Sequence, residues 1–132
     1  MSTGVRGELL AAEKLVEHGW SVALPVDAPT FDIICVKGKL NRRIQVKTTE
    51  GLKNYEGRSP HYQFQLGRGL HSKFRYSKGE FDFFVCVALD TPRFWVFPFD
   101  DISTLTMKIY DATERYSRYE NAWQLLESDR QT

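Results

Sequence analysis

The chain has 132 residues, 42% of them hydrophobic, enough for one compact domain with its own core over residues 1–132. No run of about 18 apolar residues occurs, which excludes a membrane-spanning helix; the opening MSTGVRGELL lacks the basic-then-apolar order of a signal peptide, so the expected location is the cytoplasm. The net charge of +1 hides an asymmetry of −3 over residues 1–36, +9 over 37–78 and −5 over 79–132, which suits either an anionic polymer as partner or a solvated surface whose charges mix in the fold.

Residues 4–18 read as an amphipathic helix capped by Ser2 or Thr3 and ended by Gly19. Val5, Leu9, Ala12 and Val16 recur at helical spacing and are the expected buried stripe. Glu8 lies about 60° from that line at 100° per residue, so it borders the core. At that edge a carboxylate is either a boundary ion-pair residue or part of a site.

Residues 20–26, 31–36 and 43–49 follow as three short strands, the last two joined by the basic turn KGKLNRR. Residues 51–60 are polar and broken by Gly51, Gly57 and Pro60, as in a loop. Tyr62, Phe64 and Leu66 alternate with Gln63 and Gln65 in a half-exposed strand. Residues 67–79 interleave Arg68, Lys73, Arg75 and Lys78 with His71, Phe74 and Tyr76, which suits either a nucleic-acid contact or an exposed loop. Residues 81–89 form the most strand-like run, and residues 94–97 return from a turn as its partner. A helical turn is expected within 99–105. Ser117 and Glu120 fit a capping box for a last helix at about 118–127, packed through Tyr119, Trp123 and Leu126. Cys35 and Cys86 sit in apolar runs and read as buried free thiols.

The chemistry gathers on the hairpin of residues 31–49. Gln45 and Lys47 are two apart on one strand and share a face, while Asp32 opens the strand before it. Phosphodiester hydrolysis needs a hard cation and a placed water. Asp32 offers a charged oxygen, Gln45 an amide oxygen and Val46 its backbone carbonyl, a donor set suited to Mg²⁺, with Mn²⁺ able to substitute. Glu8 could bind through a water or complete a second site. Lys47 could hold the attacking water or stabilise developing negative charge. A glutamine in place of a second acid removes one negative charge, so metal binding should be weaker than at a two-carboxylate site.

The series Glu8, Asp32, Gln45-Val46-Lys47 resembles the PD-(D/E)XK nuclease superfamily. Gly7, Glu8, Ala11, Gly19 and Trp20 resemble its first helix, and Ile44-Gln45-Val46-Lys47-Thr48 is similar to the Q-x-K variant of group I intron-associated homing endonucleases. Two departures stand out: Asp32 follows Phe31 with no adjacent proline, and position 45 is not acidic. The resemblance implies an α/β, restriction-endonuclease-like core, a mixed central β-sheet flanked by an N-terminal and a C-terminal helix. It implies Glu8, Asp32, Gln45 and Lys47 as catalytic residues of a Mg²⁺-dependent endonuclease acting on double-stranded DNA. Lys37, Lys39, Arg42, Arg43 and Lys53 would then lie near phosphates, with the 53–78 segment, which carries Arg68, Lys73 and Arg75, reaching grooves or flanking the site. One site per chain and two strands to cut imply a homodimer or homotetramer, with the C-terminal helix and its aromatic residues as candidate interface. The alternatives are a Holliday junction resolvase, a restriction or repair nuclease, and a DNA-binding module without catalysis.

Overall fold

The structure is a computed structural model that describes residues 1–28, 30–69, 74–111 and 115–128. Helix α1, Thr3–Glu17, is capped by Ser2, whose hydroxyl accepts from the Val5 N–H at 3.2 Å, and Gly19 closes it at φ 90°. Among the described residues seven strands follow: β1 (Ser21–Ala23), β2 (Ile33–Lys37), β3 (Leu40–Thr49), β4 (His61–Gln65), β5 (Phe83–Ala88), β6 (Arg93–Pro98) and β7 (Thr106–Tyr110). Five of them form one sheet in the order β1-β2-β3-β5-β6. Its pairs are antiparallel except β3 with β5, which run parallel, so the sheet is mixed. The remaining two, β4 and β7, make an antiparallel ladder against the sheet's second face.

Side-chain alternation on the central strands builds two cores. Ile44, Val46, Val85 and Val87 face α1, with Ala11 and Leu15 above them. Phe84, Cys86, Trp95 and Phe97 face the other way, against Tyr62, Phe64, Met107 and Ile109. Cys35 and Cys86 are buried and free, on opposite faces. Among the described residues no helix is long and apolar enough to cross a membrane.

The helix presents a different face from the one its apolar stripe suggests. Gly7, Ala11 and Leu15 are buried and Ala12 packs half-buried beside them, whereas Val5, Leu9 and Val16 are 44%, 44% and 59% exposed. The reason is proximity. A Cβ built at Gly7 would lie 1.9 Å from Thr48 Oγ1, so α1 rests on β3 at a distance only a line of small residues permits. Glu8 is one residue from that seam and remains at its edge. Gly7→Ala should therefore destabilise the protein, although alanine alone would favour the helix by about 1 kcal/mol. Overpacking costs about 1–3 kcal/mol, and here the clash is with a strand side chain rooted in the sheet. A urea melt should give a lower midpoint, and Thr48→Ala on the same chain should restore part of the loss.

The expected helix at 118–127 is absent. Two 3₁₀ turns, Ser117–Tyr119 and Trp123–Glu127, stand in its place, separated by Asn121 at φ 53°. The Asn121 N–H donates to Phe94 O at 2.9 Å instead of to a helical carbonyl. Glu120, the residue of the supposed capping box, takes a two-pronged bond from the Arg93 guanidinium at 2.8 and 2.9 Å. The segment is thus docked along β6 and cannot coil. Tyr119, Trp123 and Leu126 are buried as expected, but inside this chain, which removes them as an interface between copies. A 3₁₀ turn does occupy Phe99–Asp101, within the expected stretch. Strand β7 was not expected; only its alternating Met107 and Ile109 face the core.

Candidate active site

Asp32 stands immediately before β2. Its N–H donates to Ile44 O at 2.8 Å, and its carboxylate Oδ2 accepts the Val46 N–H at 2.8 Å. The side chain thus continues the ladder where the β2 backbone stops. A residue's N–H and C=O leave a strand on the same side, so the Val46 carbonyl points past the end of β2 toward the same corner. Gln45 and Lys47, on the opposite face from Ile44 and Val46, stand beside it.

The Gln45 amide joins three neighbours. One end lies 3.1 Å from the Tyr76 hydroxyl. The other lies 3.2 Å from Asp32 Oδ2 and 2.9 Å from Thr30 O. Lys47 Nζ donates to Tyr76 Oη at 3.1 Å and to Gly67 O at 3.3 Å, and it lies 5.1 Å from the centre of the Tyr76 ring. Among the described residues the ion pairs do not include Asp32 with Lys47, so this lysine is not spent on neutralising the acid.

Electrostatics mark the corner as acidic and strained by its own charge. Burial pushes the Asp32 carboxyl above the ordinary carboxylate range, against the opposing pull of the Val46 N–H and of Lys47. Burial also raises Glu8, and the charge of Asp32 adds to it. Two carboxylates that repel each other at a half-buried site are what a cation would relieve. The donor set is all oxygen: the two acids, the Gln45 amide, the Val46 carbonyl and the Thr30 carbonyl nearby. That fits a hard divalent ion. Among the described residues no group of three or more His, Cys, Asp or Glu side chains converges, so no third such side chain joins Asp32 and Glu8 at the corner.

The basic residues divide. Arg43 contacts Asp82 at 3.4 Å and Gly79 O at 2.8 Å, next along β3 from the site. Arg68 pairs with Glu80 at 2.6 Å and lies over the Tyr76 ring at 5.3 Å. Arg75 donates to Ile102 O at 3.0 Å, and Lys53 forms a backbone bridge to His61. Lys37 is not brought to the corner: five residues along β2 it is about 16 Å from Asp32, tied to Glu127 at 3.1 Å and to His18 O. Lys39, in the turn beyond, is as far away. Arg42 faces the α1 side and donates to Leu126 O and Ser128 O. Lys73 lies outside the described residues. A concavity of about 260 Å³ between Arg42, Asp82, Phe83 and Pro98 opens at the start of β5, and none of Glu8, Asp32, Gln45 and Lys47 lines it.

Sequence reasoning missed the part played by Tyr76. It stands 29 and 31 residues from Lys47 and Gln45, and no local spacing signals the contact. Its neighbours hold it in place: Phe81 packs edge-on at 4.9 Å and Phe84 at 6.2 Å.

A family model described as PD-(D/E)XK endonuclease matches residues 2–126. Among solved structures, a bacterial homing endonuclease, I-Ssp6803I, is similar over 94% of this chain and 90% of its own, with a TM-score of 0.75 and 20% identity. The Holliday junction resolvase Hjc of the hyperthermophilic archaeon Archaeoglobus fulgidus is similar over 98% of this chain and 100% of its own, with a TM-score of 0.58 and 16% identity. At those identities the likeness is one of fold. No curated protein matches the sequence. The restriction-endonuclease-like core is therefore present, with one α-helix among the described residues where two were expected. With the match running through the helix, the hairpin and both central strands, the chain belongs to the PD-(D/E)XK endonuclease family.

Proposed function

We propose that this chain is a Mg²⁺-dependent endonuclease that cuts double-stranded DNA at a specific sequence, in the manner of a homing enzyme. The observation that carries this reading is the half-buried corner where Asp32, Gln45 and the Val46 carbonyl meet beside a lysine that, among the described residues, forms no ion pair. A bound Mg²⁺ would supply charge neutralisation and an acidified water there. Asp32, Gln45 and Val46 hold it, with Glu8 binding directly or through water. Lys47 orients the attacking water and donates to the phosphate as negative charge grows. Arg43, Lys53, Arg68 and Arg75 bind backbone phosphates flanking the corner, Lys37, Lys39 and Arg42 serve more distant ones, and Lys73 is a further phosphate-binding residue. Mn²⁺ substitutes for Mg²⁺. The working location is the cytoplasm, and residues 1–132 act as one domain.

Cutting both strands takes two such corners, so the active form is a homodimer or homotetramer. The exposed Val5, Leu9 and Val16 stripe of α1 gives a second copy an apolar surface.

The test is cleavage of long duplex DNA and of a synthetic four-way junction, each with Mg²⁺ and with EDTA. Discrete duplex fragments lost in EDTA are the expected result. Symmetric nicks confined to the junction would move the assignment to a resolvase, a reading favoured by the full-length fold match to Hjc. Binding with no cut in Mg²⁺ would leave a DNA-binding module.

A further inference from the structure

We propose that Tyr76 belongs to the site as the residue that sorts the Gln45 amide, so that Gln45 turns end for end when a divalent cation binds. The inference rests on the metal-dependent nuclease reading and deepens it. An amide has one accepting and one donating end. With its –NH₂ toward Asp32 Oδ2 and Thr30 O, at 3.2 and 2.9 Å, Gln45 satisfies both acceptors, and its oxygen accepts from the Tyr76 hydroxyl at 3.1 Å. In the reverse orientation the amide oxygen faces the Asp32 oxygen and the Thr30 carbonyl, a contact of three acceptors that only a cation among them would favour. The –NH₂ then donates to Tyr76 Oη at the same 3.1 Å.

A hydroxyl accommodates both states because it can donate or accept. That is the property a phenylalanine or a carboxylate at position 76 would lack. The consequence reaches Lys47, whose ammonium already donates to the same oxygen at 3.1 Å. Before the turn the phenol proton is held by Gln45. After it, Tyr76 Oη accepts from Gln45 and from Lys47, and its proton is free for a phosphate oxygen of the substrate. A glutamine at position 45 is then more than a weaker acid substitute. It links cation binding to a hydrogen-bond donor, while Phe81 and the Arg68 guanidinium fix the ring from its edge and face.

The experiment compares wild type with Tyr76→Phe, both as full chains. In Tyr76→Phe the cleavage kcat in Mg²⁺ should fall about 100-fold, while KM for duplex DNA and the affinity for Ca²⁺ stay within about threefold, because each amide orientation loses one hydrogen bond. The second readout is the side-chain amide resonance of Gln45 in ¹⁵N-labelled wild type. Ca²⁺ should shift it, as the –NH₂ exchanges carboxylate and carbonyl acceptors for a phenol, and in Tyr76→Phe the shifted signal should exchange faster with water. Cleavage in wild type with Tyr76→Phe equally active would overturn the inference and leave the nuclease reading standing. No cleavage by wild type would defeat that reading, and the resonance would still decide: a Ca²⁺-induced shift supports the amide turn, and an unmoved signal rejects it.

Discussion

Lys47→Ala should lose DNA cleavage by about 10³-fold or more, with duplex binding weakened only a few-fold. The magnitude follows from the two roles available to this ammonium. A positioned proton donor or base contributes about 10²–10⁴ in rate, and a charge aimed at the transition state about 10²–10³. The duplex, by contrast, loses one of several phosphate contacts. Folding should survive: the residue is half-buried, and its removal leaves only the Tyr76 hydroxyl and the Gly67 carbonyl short of a partner, about 0.5–1.5 kcal/mol for each bond. A second readout separates lost chemistry from a damaged site. Lys47 lowers the Asp32 carboxyl's proton affinity and repels any cation held there. Removing it should leave Ca²⁺ binding as tight as before or tighter, measured by calorimetry. Weaker Ca²⁺ binding together with lost cleavage would mean that the substitution had disturbed the corner instead. Lys47→Arg should not rescue, because a planar fork cannot take the place of a compact ammonium beside the Tyr76 ring.

The parts of the fold legible in the sequence are those fixed by local periodicity. The hairpin of β2 and β3, the run of β5 and the return of β6 all announce themselves by apolar alternation or continuous apolar character. Helix α1 was legible as a helix, yet its face was not. The rule that the apolar stripe turns inward fails where Gly7 and Ala11 allow the backbone to approach Thr48 and larger apolar residues do not. The capping signal at Ser117 and Glu120 was overridden by a tertiary contact, since the Arg93 fork and Phe94 O hold that segment to β6. Strand β7 exists only through β4, and pairing between strands some 40 residues apart leaves no local trace.

The site divides in the same way. Asp32, Gln45, Val46 and Lys47 could be read together because a hairpin is a local object, whereas Glu8 borders the line of Gly7, Ala11 and Leu15 and not the apolar stripe from which its place is read in the sequence. Tyr76 arrives through the long crossover between parallel β3 and β5, so its meeting with Gln45 and Lys47 is decided by the sheet. Basic residues were the least legible, because a count of charges says nothing about pairing. Arg43 has Asp82, Arg68 has Glu80 and Arg42 has backbone carbonyls, so much of the +9 middle third is already engaged within the chain.

Asp32→Asn should abolish cleavage and, in the absence of metal, raise the melting temperature by several degrees. An asparagine keeps what the fold uses: its carbonyl can accept the Val46 N–H as Asp32 does at 2.8 Å. Its –NH₂ can face Gln45, whose oxygen then has a donor. What disappears is a half-buried charge opposed by burial and by Glu8. The pH dependence has a definite sign. A carboxyl whose folded proton affinity is raised contributes stability below its unfolded pKa, and that contribution is lost as pH rises through the folded value. The metal-free wild type should thus lose stability as pH rises from about 4, and Asp32→Asn should flatten that slope. Divalent cation should act in the opposite direction. At tenfold excess over its Kd, Mg²⁺ stabilises the native state by about 1.4 kcal/mol, roughly 5 °C for a chain of this size. In Asp32→Asn that increment should vanish. A variant that melts lower than wild type without metal, or gains as much from Mg²⁺, would place the cation elsewhere and return Asp32 to a structural role at the end of β2.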